Sequence, residues 1–146
     1  MRVVVQEDPF DLGEETTRFA TAQSASGAVV TFSGIVRDVS AGLKAMHIEH
    51  YPGMTERALT KIARTAIDRW SLEDALVIHR HGTLKPGEQI MMVATAARHR
   101  KDAFEAAEYL MDYLKSRAPF WKREQSGSGE EWVASRAEDE AALNRW

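Results

Sequence analysis

The stretch KDAFEAAEYLMDYLKSRAPFWKRE, residues 101–124, joins a helical pattern to a strand pattern across one proline. Apolar residues recur at the spacing of one helix face, and the helix must end near Ala118 because Pro119 disfavours helical backbone in the residue before it. The segment FWKREQ, 120–125, is typical of a strand. The stretch therefore predicts a helix, a chain reversal at Ala118-Pro119 and a strand that returns beside the helix end.

Two lysines, Lys115 and Lys122, lie on either side of the predicted reversal. At about 100° per residue, Lys115 falls at the edge of an apolar stripe of the helix. That stripe consists of Phe104, Ala107, Met111 and Leu114. In the strand, Phe120 and Lys122 share one face, while Trp121 and Arg123 share the other. The reversal can thus bring Lys122 back beside Lys115.

The lysine pair permits two interpretations. In the first, both side chains lie along apolar surface and their ammonium groups reach water. In the second, the two ammonium groups converge on one partly desolvated pocket. Burial and like-charge repulsion would then lower a lysine pKa and make a neutral nucleophile or base available.

The segments around this stretch predict an α+β fold. The predicted strands are 2–6, 27–37, 45–51, 75–82, 89–98 and 120–125. The predicted helices are 11–25, 52–70, 101–118 and one near the C-terminus, which follows a short strand or turn predicted from Trp132. The predicted loops are 38–44, 83–88 and 126–131. This order indicates a single domain over 1–146, with a mixed or mainly antiparallel sheet flanked by helices.

Composition restricts the possible classes of function. The chain has 146 residues, of which 44% are hydrophobic and 28% charged, as in ordinary globular proteins. No apolar run approaches the roughly 18 to 20 residues of a membrane span, and residues 1–10 lack the pattern of a secretory signal, so we expect a cytoplasmic protein. The chain has no cysteine, so any sulfur that it handles must arrive on another molecule.

Charge is distributed unevenly along the chain. The net charge is −3, but the segment 98–123 holds seven basic and four acidic residues, which makes it +3 and the remainder −6. A basic site on an acidic protein favours a small anion or an acidic partner over a broad nucleic-acid surface. A single-strand nucleic-acid binder that uses Phe120, Trp121 and the basic cluster remains an alternative.

Three further motifs are candidates for binding. In ARHRKD, 97–102, His99 and Arg100 lie where a strand pattern meets a helix, a place that can bind an anion such as phosphate; a surface turn is the alternative. Arg37 ends a strand before a Gly-containing loop. His79 and His81 share a strand face, but no third ligand follows at a telling spacing, so no metal site is predicted. No nucleotide-binding or serine-hydrolase motif is present, and no cofactor is expected.

Several segments together resemble the large, catalytic subunit of molybdopterin synthase. They are FSGIVRD, EHYPGM, HRHGTLKPGE, RHRKDAFEAAEYLMDYLKSRAPFWKRE and GEEWV, in order over nearly the whole chain. The most specific part is the pair of lysines seven residues apart, with PFWK at the second. The resemblance implies a hammerhead-type α+β fold that forms a homodimer within a heterotetramer.

The resemblance also implies a reaction. In this family a small ubiquitin-like subunit carries a thiocarboxylate on its C-terminal Gly-Gly tail, and the substrate is cyclic pyranopterin monophosphate. The chain is therefore expected to be a sulfurtransferase that forms the dithiolene of molybdopterin in molybdenum cofactor biosynthesis. The segment 126–146 is expected to associate with a partner or with the second subunit of the dimer.

By position, Lys115 and Lys122 match the two functional lysines of the family. Lys115 is expected to contact the thiocarboxylate carbonyl or assist attack, and Lys122 to orient substrate or stabilise developing charge. Phe120 and Trp121 are expected to shield and shape the site. The resemblance further implies a substrate-binding set of Arg37, His99, Arg100, Arg123 and Arg136, the last reaching the neighbouring subunit's site.

Two features depart from the family pattern. The loop DVSAGLK, 38–44, is not a close match after Arg37, and His81 stands where an apolar residue is expected. A non-catalytic dimeric adaptor that binds a ubiquitin-like tail remains the main alternative function. Metal-dependent hydrolysis through His79 and His81 is a third.

Overall fold

The computed structural model describes residues 1–38, 42–127, 129–133 and 136–146. Its strands are β1 Arg2–Gln6, β2 Ala28–Ile35, β3 Leu43–His50, β4 Asp74–Arg80, β5 Gly82–Leu84, β6 Gln89–Ala97, β7 Phe120–Ser126 and β8 Gly129–Val133. Its helices are α1 Leu12–Thr21, α2 Met54–Trp70, α3 Arg100–Ser116 and α4 Ala137–Ala142, followed by a 3-10 turn, Leu143–Arg145. The predicted α+β class is confirmed.

In the described part of the chain, the strands form two four-stranded sheets. The first has the order β1-β4-β6-β2, with β1 parallel to β4 and the other pairs antiparallel. The second has the order β5-β3-β7-β8 and is antiparallel throughout. The sheet expected from the sequence is thus present as one mixed and one antiparallel sheet.

The central strands of the first sheet are buried on both faces. For that reason β4 and β6 are nearly continuous apolar runs rather than alternating ones. Val77 and Val93 face the cluster that includes α2 and α3, whereas Ile78 and Met92 face the cluster that includes α1. Trp146, the last residue, packs against the α2–α3 cluster, so the C-terminus is tied to the main core.

Helix α3 lies against the first sheet with a face that differs from the predicted stripe. The buried positions are Ala103, Ala106, Ala107, Tyr109, Leu110 and Leu114. Phe104, which was predicted to lie on the apolar stripe, is 59% exposed. The reason is that small side chains allow close approach to β6, where the buried Thr95 hydroxyl donates to the Ala103 carbonyl over 2.7 Å.

The chain reverses at Ala118-Pro119, as predicted, and continues into β7. Thr55, fully buried in the first turn of α2, anchors this reversal. Its hydroxyl donates to the Pro119 carbonyl over 3.0 Å and accepts from the Tyr51 N–H over 2.9 Å. Strand β7 then pairs with β3, which places Lys122 opposite Ile48. Local hydrogen bonds therefore fix where the second lysine enters the sheet.

One strand, β5, was not predicted from the sequence, and β8 was predicted only in part. Strand β5 occupies the start of the segment 83–88, which was predicted to be a turn. Strand β8 begins in the Gly- and Ser-rich segment 126–131, which was predicted to be a loop, and ends in the short strand or turn that was predicted from Trp132. The predicted loop 38–44 lies partly outside the described residues, and its last two residues already belong to β3.

Candidate active site

A cavity of about 300 Å³ lies where the C-terminal end of α3 meets β7 and the C-terminal segment. Its charged lining residues are Arg37, Lys115, Lys122, Glu124, Arg136 and Asp139. Four of the six are cationic, and apolar side chains such as Leu114 and Phe120 form much of the remaining wall. The volume is at the lower end of the range for small-molecule sites, and the charge favours an anionic ligand.

The two lysines reach this cavity from different elements. Lys115 lies in the last turn of α3, and Lys122 follows the reversal as the third residue of β7. Both line the cavity, as the sequence predicted from the reversal at Ala118-Pro119. Lys115 is exposed, whereas Lys122 is half-buried. The structure therefore brings the pair together at one site.

The environment of Lys122 lowers its proton affinity. Burial, and after it the positive charge of Lys115, lower the pKa of Lys122 to about 8, against the opposing effect of the Asp139 carboxylate. At pH 7 roughly one tenth of the Lys122 amine is therefore neutral, which is about 200 times the neutral fraction of a lysine in water, whose pKa is near 10.4. The site thus provides an amine that can act as a base or nucleophile near neutral pH.

His79 forms part of the same wall, whereas the sequence suggested it only as a possible metal ligand together with His81. Its ring is 4% exposed and stacks on Phe120, with the ring centroids 3.8 Å apart. Burial, followed by the charge of Lys122, lowers the pKa of His79 to about 3, so the imidazole is neutral at physiological pH. The available sequence signal was its position inside the apolar run ALVIHR, which predicts a buried side chain.

A smaller pocket of about 70 Å³ adjoins the cavity. It shares His79, Lys115 and Lys122 with the larger one. Its further lining residues are mostly apolar and come from β2, β6 and α3: Phe32, Gly34, Met91 and Met111. The lysines therefore lie between a charged outer cavity and an apolar inner pocket.

The C-terminal segment places Arg136 and Asp139 at the cavity. It is attached to α3 by an ion pair of 2.9 Å between Arg117 and Glu140, and by a hydrogen bond of 2.6 Å from the Trp146 indole to Asp112. Asp139 was not predicted as a site residue, because an acid in a charged C-terminal helix carries no distinguishing pattern. The segment supplies both an arginine and the carboxylate that opposes the lowering of the Lys122 pKa.

The remaining predicted site residues do not line the cavity in this chain. His99 caps the N-terminus of α3 and Arg100 begins it, and both are exposed. Arg100 and Lys115 are 15 residues apart in one helix, which corresponds to about 22 Å. Arg123 lies on the opposite face of β7, 3.3 Å from Glu130 and over the ring of Trp132.

Two other expectations need correction. Phe120 lines the cavity, but Trp121 does not shield it, because Trp121 lies on the other face of β7 and contacts Tyr51 edge-on at 4.7 Å. The two histidines of HRHG have separate surroundings, since the ring of His81 packs against His50 at 4.2 Å. Among the described residues, no group of three or more His, Cys, Asp or Glu side chains is arranged to hold a metal ion.

No helix in the described ranges is both long and apolar enough to cross a membrane.

The fold and cavity define an α+β protein with a cationic site built around two lysines. The sequence matches the family described as MoaE protein over residues 5–117, well over half of the chain. A relative from Cereibacter sphaeroides, named molybdopterin synthase catalytic subunit, is 64% identical over 146 residues and covers both chains completely. The chain belongs to the MoaE protein family.

Solved structures show the same fold. The molybdopterin biosynthesis MoaE protein from Burkholderia ambifaria superposes with a TM-score of 0.86 at 50% identity, over 99% of this chain and 97% of that one. A protein–protein complex of subunits 1 and 2 of molybdopterin-converting factor from Helicobacter pylori contains a chain with a TM-score of 0.77 at 20% identity. That match covers 92% of this chain and 91% of the other, and it concerns the fold alone.

Proposed function

We propose that this chain catalyses sulfur transfer to cyclic pyranopterin monophosphate, the step that yields molybdopterin in molybdenum cofactor biosynthesis. Family membership assigns the activity, because the close relatives are molybdopterin synthase catalytic subunits. The observation in the structure that carries the proposal is the meeting of Lys115 and Lys122 in one cationic cavity. The expected cytoplasmic location stays a prediction.

The chain requires an external sulfur donor, because it contains no cysteine. The partner is a small subunit, which we propose is ubiquitin-like and carries sulfur as a C-terminal thiocarboxylate. A tail that ends in glycines has no side chains to exclude it from a narrow cavity. The four cations of the lining offset the negative charge of both the thiocarboxylate and the pterin phosphate.

We assign different roles to the two lysines. Lys115, exposed at the cavity, is placed to contact the thiocarboxylate carbonyl oxygen, where it stabilises charge that develops as the carbon–sulfur bond breaks. Lys122, whose pKa is lowered to about 8, orients the pterin and accepts or returns a proton during attack. Arg37 and Arg136, on the same cavity, bind the anionic part of the substrate.

His99 and Arg100 can contribute to substrate binding only from a neighbouring subunit. About 22 Å of helix separates Arg100 from the Lys115 of its own chain, which is farther than an arginine side chain reaches. We therefore propose a homodimer, within a heterotetramer, in which the N-terminal end of α3 faces the partner's cavity. The exposed β8 and the rest of 126–146 are proposed to lie at a subunit interface.

The test is the mass of the pterin product. The purified chain is mixed with a thiocarboxylated small subunit and cyclic pyranopterin monophosphate, and sulfur gain by the pterin is followed by mass spectrometry. We expect sulfur gain with wild type and its loss with Lys115→Ala, while Lys101→Ala, which removes an exposed lysine at the other end of α3, keeps the activity. A complex that forms without sulfur gain would instead support a non-catalytic adaptor.

A further inference from the structure

His79 has a tautomer fixed by its backbone environment. Its Nδ1 lies 2.8 Å from the Arg80 carbonyl oxygen, which can only accept a hydrogen bond. Nδ1 therefore carries the proton of the neutral ring, and Nε2 has a free lone pair. Nε2 has no hydrogen-bond partner among the described residues.

The ring is held rigidly at the cavity. It stacks on Phe120 with an interplanar angle of 18°, and it lines both the larger cavity and the adjoining apolar pocket. Stacking and the Nδ1 hydrogen bond together leave the ring little freedom to rotate. A buried acceptor in a fixed orientation is thus present on the wall of a site that also holds the donor groups of two lysines and two arginines.

The cation that acts most strongly on His79 is Lys122. The positive charge of Lys122 lowers the pKa of His79 more than the positive charge of Lys115 does. Lys122 and Phe120 lie two residues apart on one face of β7, about 7 Å along the strand, so the ring stacked on Phe120 is within the length of a lysine side chain. The lysine amine also has no hydrogen-bond partner or ion pair among the described residues.

The two groups are not hydrogen-bonded to each other in this structure. We propose that the side chain of Lys122, when it turns toward the ring, donates a hydrogen bond from its amine to Nε2 of His79, and that His79 is a positioning residue for this lysine. Because the ring is uncharged, it can orient the amine without adding positive charge to the cavity. The inference deepens the proposed function. Its prediction for turnover rests on that function, whereas its prediction for the titration of Lys122 does not. The other ionisable groups around this pair are Arg37, Lys115, Glu124, Arg136 and Asp139 at the cavity and, beyond it, His81.

Loss of this acceptor has a defined electrostatic effect. A hydrogen bond to Nε2 stabilises the ammonium form of Lys122, and so it raises the pKa of that lysine relative to a protein without the acceptor. Removing the acceptor should therefore lower the pKa of Lys122 relative to wild type. If His79 acted on Lys122 only by excluding water, the titration of Lys122 would change as much with an acceptor in place of Nε2 as without one.

Three substitutions separate the functions of the ring. His79→Asn keeps a donor in place of Nδ1 and removes the acceptor, whereas His79→Gln places an amide oxygen at the position of Nε2. His79→Phe keeps an aromatic ring to stack on Phe120 and removes both nitrogens. His81→Phe is the matched control, because His81 packs against His50 and does not line the cavity.

The experiment measures the titration of Lys122 in the full chain. An amine-reactive acylating reagent is applied at limiting concentration across neutral to alkaline pH, and acylation of Lys122 is quantified by peptide mass spectrometry. We expect half-maximal reactivity at lower pH in His79→Asn and His79→Phe, and wild-type behaviour in His79→Gln and His81→Phe. Identical titration of Lys122 in all five proteins would overturn the proposal.

A kinetic measurement on the same proteins adds the consequence for turnover. Loss of the acceptor should lower kcat about tenfold with little change in KM, the size expected for one hydrogen bond, and His79→Gln should recover most of it. If wild type itself transfers no sulfur, the proposed function fails, while the acylation titration still decides the role of His79. Equal kcat in wild type and His79→Phe would contradict the proposal even if both proteins fold.

Discussion

The two ends of α3 carry basic side chains in opposite surroundings. At the N-terminal end, His99 and Arg100 are exposed and do not line the cavity that holds Lys115. At the C-terminal end, Lys115 shares a cavity with Lys122 and with the buried ring of His79. One helix thus presents solvated cations at one end and crowded cations at the other.

The difference arises from the path of the chain after the helix. Pro119 ends the helical pattern, the Thr55 hydroxyl holds the reversal, and β7 returns a second lysine to the helix end. Crowding and burial then lower the pKa of Lys122 to about 8. The comparison shows that a basic residue gains chemical function here from what the fold places beside it, and not from charge alone.

The largest effect on turnover is expected from Lys122→Arg, which keeps the positive charge but cannot give up its proton. A guanidinium stays protonated at all relevant pH values, so we expect turnover to fall by about 100-fold or more if a neutral amine takes part. The single-turnover rate of pterin sulfuration measures this. Lys101→Arg, at the solvated end of α3, is the control and should match wild type; a fully active Lys122→Arg would show that a fixed positive charge is enough.

A smaller effect is expected at the solvated end of the helix. The double variant His99→Ala/Arg100→Ala should raise KM for the pterin about tenfold with a minor change in kcat, because these side chains are assigned to anion binding. Thermal unfolding should be unchanged, since both residues are exposed.

Mixed dimers sharpen this test. A dimer of one Lys115→Ala subunit and one His99→Ala/Arg100→Ala subunit contains one intact site only if the two ends of α3 act across the interface. Near half of the wild-type activity at low substrate is therefore expected. Activity no higher than that of the separate variants would contradict the trans arrangement.

Replacing Lys122 with an uncharged side chain should stabilise the folded protein, although replacing this lysine is expected to lower its activity. Burial lowers the folded-state pKa of Lys122 to about 8 from 10.5, so the folded protein holds this proton less tightly than the unfolded chain does. Lys122→Met should therefore raise the free energy of unfolding by about 1 to 3 kcal/mol at pH 7. The gain is fully present below pH 8 and should disappear as the pH rises toward 10.5, where both states are neutral.

Urea unfolding of both proteins at neutral and alkaline pH measures this difference. Lys101→Met removes a solvated lysine of the same helix and should show no comparable gain. Equal stability of wild type and Lys122→Met at pH 7 would mean that Lys122 is solvated in the folded state.

A smaller loss of stability is expected when the chain reversal is weakened. Thr55→Val keeps the shape of the side chain but leaves the Pro119 carbonyl and the Tyr51 N–H without their partner. We expect a loss of about 1 to 2 kcal/mol in the free energy of unfolding. Thr17→Val, at an exposed position of α1, should change it by less than about 0.5 kcal/mol; equal losses would mean that the hydrogen bonds of Thr55 add nothing to stability.

Much of the fold could be predicted from the sequence because long elements carry strong periodicity. The pattern of 101–118 and the effect of Pro119 located α3 and its end within two residues, and the apolar runs located β4 and β6. The short strand β5 and the start of β8 could not be predicted, because β5 has three residues and β8 begins at a glycine. Both are defined by pairing with distant partners, β3 and β7.

The site was predictable to a lesser extent. The spacing of Lys115 and Lys122 around one proline indicated that they meet, since the relation is local in the chain. His79 and Asp139 come from segments far from this stretch, and only the tertiary fold brings them to the cavity. The orientation of Phe104 was predicted wrongly. Helical periodicity defines an apolar stripe, but it does not show that the small residues of α3 pack against β6 and leave Phe104 exposed.

The most direct test of the central claim is the pH dependence of single-turnover sulfur transfer. Thiocarboxylated small subunit, cyclic pyranopterin monophosphate and the full chain are mixed across neutral to alkaline pH, and the sulfurated pterin is quantified by mass. If neutral Lys122 takes part, the rate should rise with pH through a midpoint near 8, and Lys122→Arg should be slow at every pH. A wild-type rate that does not change with pH over this range would contradict the account.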